Sequence, residues 1–162
     1  MSKVAIVMGS KSDAEVVRPA AETLKKFGIP YEARIISAHR TPVEAHEFAA
    51  NAAQNGFKVI IAAAGKAAHL AGVIAGSTTL PVIALPVLGS AFCGLDSLLS
   101  MVQMPAGVPV ACVAVNGAEN AGLLAVQILA LSNQTLAEKL LAFKKEMADK
   151  IIADDKALIG KL

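Results

Sequence analysis

The sequence predicts an α/β domain in which a five-stranded parallel sheet is covered by helices on both faces. Short apolar runs rich in Val, Ile and Ala alternate with longer helical stretches, the order that parallel strands joined by crossover helices produce. Hydrophobic residues make up 55% of the 162 residues, while aromatics make up only 4% and Trp is absent. The core must therefore be assembled from Ala, Val, Ile and Leu, a mixture that suits close packing of helix on sheet. A chain of this length fits one core, and no internal repeat or low-complexity segment divides it, so residues 1–162 are expected to form a single domain.

The elements follow in order. Lys3 to Met8 reads as the first strand, and Ser12 to Phe27 as the first helix, with Ser12 and Glu15 at capping-box spacing and Gly28 as its stop. Tyr31 to Ile36 is the second strand. The next helix begins at Thr41, with Pro42 in its first turn, and runs to about Asn55–Gly56. Val59 to Ala64 is a continuous apolar third strand, followed by a small-residue segment from Gly65 to Ser77 that holds a loop and a short helix. Val82 to Leu85 forms strand four, closed by Pro86; Gly94 to Gln103 is helical, Val108 to Val115 is strand five, and Glu119 to Leu131 is another helix. A last helix from about Gln134 carries Leu136, Leu140, Phe143, Met147 and Ile151 at spacings of three or four, an apolar stripe backed by Lys and Glu. The α/β core is thus complete by residue 131, and the 134–162 extension needs a further surface; it is expected to pack, at least partly, on a neighbouring subunit, with packing on its own chain as the alternative.

Composition excludes several classes of function. The apolar runs are broken by Gly, Pro, His or charge well before the ~20 residues a membrane span requires, and the chain opens directly into a strand-like run; a cytoplasmic protein with no targeting segment and no membrane partner is expected. Cys93 and Cys112 lack metal-ligand spacing and lie in or beside apolar segments, so both are expected to be buried free thiols. A net charge of +2 arises from mixed charges with no basic run, which makes nucleic acid an unexpected partner.

In open α/β sheets ligands gather beyond the carboxyl ends of the strands, where strand order reverses. In a 2-1-3-4-5 order the first three strand ends would meet at one crevice. The first end, Gly9-Ser10-Lys11-Ser12-Asp13, enters a helix whose free N–H groups suit a phosphate, although plain capping by Ser12 and Asp13 explains the same residues. It has neither the Gly spacing of a Walker loop nor GxGxxG, so ATP and dinucleotides lose ground. The second end, Ser37 to Pro42, offers His39, which can exchange protons near neutrality, beside Arg40, a fixed fork for phosphate or carboxylate; a polar surface loop is the plainer reading. The third end, Ala64 to His69, brings His69 behind small residues, either as a ligand contact or as a subunit-interface residue. His46, inside the second helix, is assigned no role. No Ser-His-Asp order and no metal-ligand cluster stands out.

At these same residues the chain closely resembles the N5-carboxyaminoimidazole ribonucleotide mutase family, the class I aminoimidazole ribonucleotide carboxylases of purine biosynthesis. The resemblance runs from Lys3 to about Leu131. It rests on VAIVMGSKSD at residues 4–13, SAHRTP at 37–42, AAHLAG at 67–72, TTLPVIALPV at 78–87 and GLDSLLSMVQMPAGVPVA at 94–111. It implies a flavodoxin-like three-layer α/β/α sandwich of strand order 2-1-3-4-5, and an isomerase that moves a carboxyl group on an aminoimidazole ribonucleotide, a small-molecule substrate. By position, His39 matches the catalytic histidine and His69 the histidine near the reacting loop. Ser10, Ser12, Asp13, Ser37 and Arg40 match nucleotide contacts, with phosphate at Ser10 and Arg40 and ribose hydroxyls at Asp13; Gly65, Lys66, Ala67 and Leu70 line the substrate pocket. The resemblance implies no cofactor and no metal, and a homo-octamer whose C-terminal helix reaches a neighbour.

Three residues depart from the family pattern. Where the family reads GAGGAAHLPG, residues 63–72 carry Ala63, Lys66 and Ala71 in place of Gly, Gly and Pro. These changes are expected to restrict the backbone at 63 and 66, to loosen the turn at 71 and to add a charge. The class II carboxylases, which use free carbon dioxide, have a cationic Arg at about the place of Lys66, so a direct carboxylase is the nearest rival. A non-catalytic ribonucleotide-binding protein on the same scaffold is a second. A flavin-binding or receiver module finds no aromatic pair and no acidic pocket to support it.

Overall fold

The computed structural model describes residues 2–89 and 91–161. Its elements are β1 (Lys3–Met8), α1 (Ala14–Phe27), β2 (Tyr31–Ile35), α2 (Pro42–Asn51), β3 (Phe57–Gly65), α3 (Leu70–Ala75), β4 (Val82–Val87), α4 (Leu95–Val102), β5 (Ala111–Cys112), α5 (Ala118–Ala130) and α6 (Gln134–Leu158). The strands pair in parallel in the order β2-β1-β3-β4-β5, as the resemblance implies.

Alternation along the three central strands explains the layering. Val4, Ile6 and Met8 of β1, Val59, Ile61 and Ala63 of β3, and Ile83, Leu85 and Val87 of β4 face one side, against Val17, Ala20, Leu24 and Phe27 of α1 and Ala118, Ala121, Ala125 and Val126 of α5. The intervening residues, including Ala5, Val7, Ile60, Ala62 and Ala84, face the other, against Ala45 and Ala49 of α2, Leu70 and Ile74 of α3, and Met101 of α4. Because both faces are buried, these strands are continuously apolar apart from Lys3 and Lys58 near their amino ends. Among the described residues no helix is long and apolar enough to cross a membrane.

Several boundaries differ from the sequence expectation, each for a physical reason. Ser10, not Ser12, is the N-cap. Its hydroxyl accepts the Ser12 N–H while the Asp13 carboxylate accepts the Ser10 N–H, a capping box on a single 3-10 turn, Lys11–Asp13, that precedes α1. Pro86 does not end β4. It lies opposite Ala64 of β3, and its carbonyl faces the β5 side, where it accepts the Asn116 N–H at 2.8 Å. The donor that Pro86 lacks is therefore missing from the β4–β5 ladder alone. That gap matches the shortness of β5, whose paired residues are Ala111 and Cys112 in place of the expected Val108 to Val115. Cys93 is exposed and Cys112 half-buried, against the expectation of two buried thiols; burial pushes the Cys112 thiol up from its ordinary value.

The apolar stripe of α6 divides. Asn133 caps the helix by accepting the Leu136 N–H at 3.1 Å, Leu136 is buried, and Leu140 and Phe143 pack partly on the core of their own chain. Phe143 meets Phe27 edge-on at 5.9 Å, and Lys139 donates to the Phe27 carbonyl at 3.1 Å. Beyond them Met147 and Ile151 are 46% and 67% exposed, so the distal half of the stripe is only partly covered by the described residues.

The crossing of α1 on α5 depends on small residues. A Cβ at Gly122 would stand 2.9 Å from Thr23 Cβ and 3.0 Å from the Ala20 carbonyl. Gly122→Ala should therefore push the helices apart and lower stability by about 1–3 kcal/mol, read as a fall in the urea midpoint; an unchanged midpoint would show that the crossing has slack.

Candidate active site

Four strand ends open into one cleft of ≈ 600 Å³. At the end of β1 the Gly9 N–H bonds the Ala63 carbonyl at 3.1 Å, and the chain then turns through the capping box. The Ser12 hydroxyl donates to Ser10 Oγ at 2.9 Å and lies 3.3 Å from Asp13 Oδ1. Asp13 is buried and partly committed to this loop, yet each carboxylate oxygen keeps a lone pair for a ligand hydroxyl.

At the end of β2, Ser37 and Thr41 close a turn: Thr41 Oγ1 donates to the Ser37 carbonyl and accepts the Ser37 N–H, both at 3.0 Å. Ser37 Oγ in turn accepts from the Arg40 backbone N–H at 3.2 Å and from Arg40 Nε at 3.3 Å, and Arg40 Nη2 donates to the Gly9 carbonyl at 2.9 Å. Two loops thus hold the guanidinium before any ligand arrives, which lowers the ordering cost of binding an anion there.

At the end of β3, Gly65 lies against β4, where a Cβ would come within 3.3 Å of the Val87 carbonyl. Lys66 then adopts φ 58°, a left-handed conformation that costs a side-chain-bearing residue about 1–2 kcal/mol. His69 precedes α3 and reaches across to the β2 loop. His39 Nε2 and His69 Nδ1 are 2.8 Å apart, with the rings edge-to-face at 80°. One of these nitrogens donates and the other accepts, so while the bond lasts the pair holds at most three ring protons and a single positive charge. A proton can be taken or given at the remaining nitrogens without disturbing the contact.

Among the described residues no three His, Cys, Asp or Glu side chains gather to hold a metal. All eleven residues singled out from the sequence line the cleft: Ser10, Ser12 and Asp13; Ser37, His39 and Arg40; Gly65, Lys66, Ala67, His69 and Leu70. His46 lies apart, with Nδ1 3.0 Å from Ser77 Oγ. The sequence reading missed the fourth wall, Val87, Leu88 and Gly89. Reading Pro86 as a strand end hid it, although a 2-1-3-4-5 order already sets the end of β4 beside that of β3. The Leu88 N–H is fixed to Asn116 Oδ1 at 2.9 Å.

Residues 3–150 match the family model described as AIR carboxylase. The chain belongs to the AIR carboxylase family. It is 53% identical over 153 residues, 94% of this chain and 97% of the relative, to the N5-carboxyaminoimidazole ribonucleotide mutase of Saccharolobus solfataricus. It is 53% identical over 152 residues, 94% of this chain and 89% of the relative, to the enzyme of that name from Thermotoga maritima. The crystal structure of Treponema denticola PurE superposes with a TM-score of 0.90 at 34% identity, covering 98% of this chain and 99% of that one.

Of the three departures from the family pattern, one reaches the cleft. Ala63 is wholly buried in β3, paired with Met8 and Leu85, so its methyl fills core rather than crowding the site. Ala71 is wholly buried in the first turn of α3, which forms without the Pro. Lys66 alone lines the cleft.

Asp13→Ala removes the acceptor of the Ser10 N–H and should lower stability by about 1 kcal/mol, measured as the denaturant midpoint at constant m-value. Parental stability in that variant would mean that the loop stands without the box.

Proposed function

We propose that this member of the AIR carboxylase family converts N5-carboxyaminoimidazole ribonucleotide into 4-carboxy-5-aminoimidazole ribonucleotide, an isomerase step of de novo purine biosynthesis. The observation that carries the reading is the His39–His69 pair at 2.8 Å, set in the same cleft as the preorganised Arg40 and the Ser10–Asp13 loop. The mutase relatives cover nearly the whole chain, which adds independent support.

In the proposed mechanism Arg40, Ser10 and Ser12 hold the phosphate, Ser37 steadies Arg40, and Asp13 accepts from a ribose hydroxyl. His39 donates a proton to the carbamate nitrogen. The bond from that nitrogen to the carboxyl carbon breaks, and carbon dioxide is released into the cleft. C4 of the ring then attacks the carbon, forming the new carbon–carbon bond, and His39 recovers a proton from C4 as the ring regains aromaticity. His69 orients His39 through their shared hydrogen bond. The steps are redox-neutral and return every proton to its donor, so their balance calls for no ATP, biotin or metal. Confinement of the carbon dioxide falls to Gly65, Ala67 and Leu70, small or apolar groups suited to excluding water. Acid–base work of this kind supplies ~10²- to 10⁴-fold; holding the fragments together supplies much of the remainder. The partly exposed Met147 and Ile151 support a homo-oligomer, for which the resemblance implies an octamer, and the reading implies a cytoplasmic enzyme.

The test follows the ultraviolet absorbance of the nucleotide, with ATP absent. Conversion of N5-carboxyaminoimidazole ribonucleotide at low carbon dioxide is expected; activity only with aminoimidazole ribonucleotide and high bicarbonate would make the enzyme a direct carboxylase, and silence with both would leave a binding protein. His39→Asn should lose at least ~10²-fold in kcat with nucleotide affinity nearly unchanged. Arg40→Ala should instead weaken affinity by about 10- to 100-fold, the range for a hydrogen bond to a charged group. Near-parental turnover in His39→Asn would remove the proton-carrier assignment.

A further inference from the structure

We propose that Lys66 is the specificity-determining residue for the carboxylate of the substrate, following that group as it moves from nitrogen to carbon. The inference rests on the mutase reading and assigns within it the one charged cleft residue that the reading leaves without a task.

Position supports the assignment. Arg40 leaves the end of β2 and is bound to Gly9 at the end of β1, so the first cation, with the Ser10 and Ser12 hydroxyls, belongs to the β1–β2 side of the cleft. Lys66 leaves the end of β3 and lies along the β4 loop: a Cβ on Gly89 would stand 3.7 Å from Lys66 Cγ. The order β2-β1-β3-β4 therefore separates the two cationic anchor points by about two strand spacings, or ~10 Å, and the His39–His69 contact bridges the strand ends between them. A ligand with an anion at each end and a reacting ring in the middle matches that layout. With the phosphate at Arg40, the second anion, the carboxylate, falls to Lys66.

The chemistry of the side chain agrees. Lys66 has no ion-pair partner among the described residues, whose four salt bridges all lie elsewhere. An ammonium on a flexible stem, with three rotatable donors, can keep contact with a group that changes its point of attachment. A rigid guanidinium fork held at both ends, as Arg40 is, cannot follow in this way. The left-handed backbone of Lys66 is the conformation that Asn tolerates among side-chain-bearing residues, which provides a variant that removes the charge and keeps the turn.

The test compares Kd for 4-carboxy-5-aminoimidazole ribonucleotide with Kd for 5-aminoimidazole ribonucleotide, which lacks the carboxylate, in the parent, Lys66→Asn and Lys66→Arg proteins. The parent should prefer the carboxylated nucleotide. Lys66→Asn should lose about tenfold of that preference, the lower end of the range for a hydrogen bond to a charged group because the residue is exposed. Its Kd for the uncarboxylated nucleotide should stay the same, and Lys66→Arg should retain the preference. Lys66→Gly, which suits the same backbone, serves as a second charge-free variant and should behave as Lys66→Asn does. A parent that turns over substrate while Lys66→Asn and Lys66→Gly keep the full preference would overturn the role of Lys66 and leave the mutase reading standing. A parent that binds neither nucleotide would overturn both.

Discussion

The constraint on which the rest of the molecule depends is that every strand of the sheet is parallel to its neighbours. Parallel strands cannot be joined by tight hairpins, so each connection crosses a face as a helix, and every carboxyl end falls on one edge of the sheet. Between β1 and β3 the order reverses: α1 and α5 pack on one face while α2, α3 and α4 pack on the other. The loops after β1, β2, β3 and β4 are left to surround a single opening. The requirement that both faces be buried, met with Ala, Val, Ile and Leu, is thus what sets Arg40, His39, Lys66 and His69 around the same cleft although they come from segments 30 residues apart.

Within that opening the polar groups are arranged largely by one another. Ser37 holds Arg40, Arg40 ties the second loop to Gly9 of the first, and Asp13 holds Ser10. The guanidinium and the two serine hydroxyls are therefore placed without help from a ligand, and binding energy need not be spent on ordering them. His39 and His69 are placed differently. Each orients the other through one hydrogen bond, and because a single proton lies between the rings, the pair can exchange protons with a ligand while its geometry persists. In the proposed mechanism the first group acts as a rigid anion cradle and the second as a proton-exchanging pair, the division of labour that a carboxyl migration asks for.

Most of the fold was legible because burial on both faces writes long apolar runs, and helix stops such as Gly28 follow local geometry. Errors arose where two local rules competed. The sequence holds Ser-x-x-Asp from residue 10 and Ser-x-x-Glu from residue 12, both valid capping boxes, and only the path of the chain out of β1 decides for the first. Pro86 reads as a strand end from its residue type alone, whereas which neighbour its missing donor faces depends on the pairing of β4 with β3 and β5. The division of the α6 stripe was not legible at all, since Leu136 and Ile151 are equally apolar and only the size of the core beneath them tells them apart. Of the site, the residue types at three strand ends were readable; the contact between His39 and His69 was not, because no local pattern records a pairing across two loops. The consequence of Lys66 was half legible: the substitution was plain, but its left-handed backbone and its lean toward the β4 loop required coordinates.

The central claim is that the carboxyl group leaves nitrogen and arrives at carbon without escaping the cleft. Turnover of substrate labelled with carbon-13 in its carbamate carboxyl, in a buffer of unlabelled bicarbonate, tests it most directly. The account predicts that the label stays in the 4-carboxylate of the product. Product whose carboxylate carries the isotope composition of the buffer would contradict it, because the carbon would then have passed through solution.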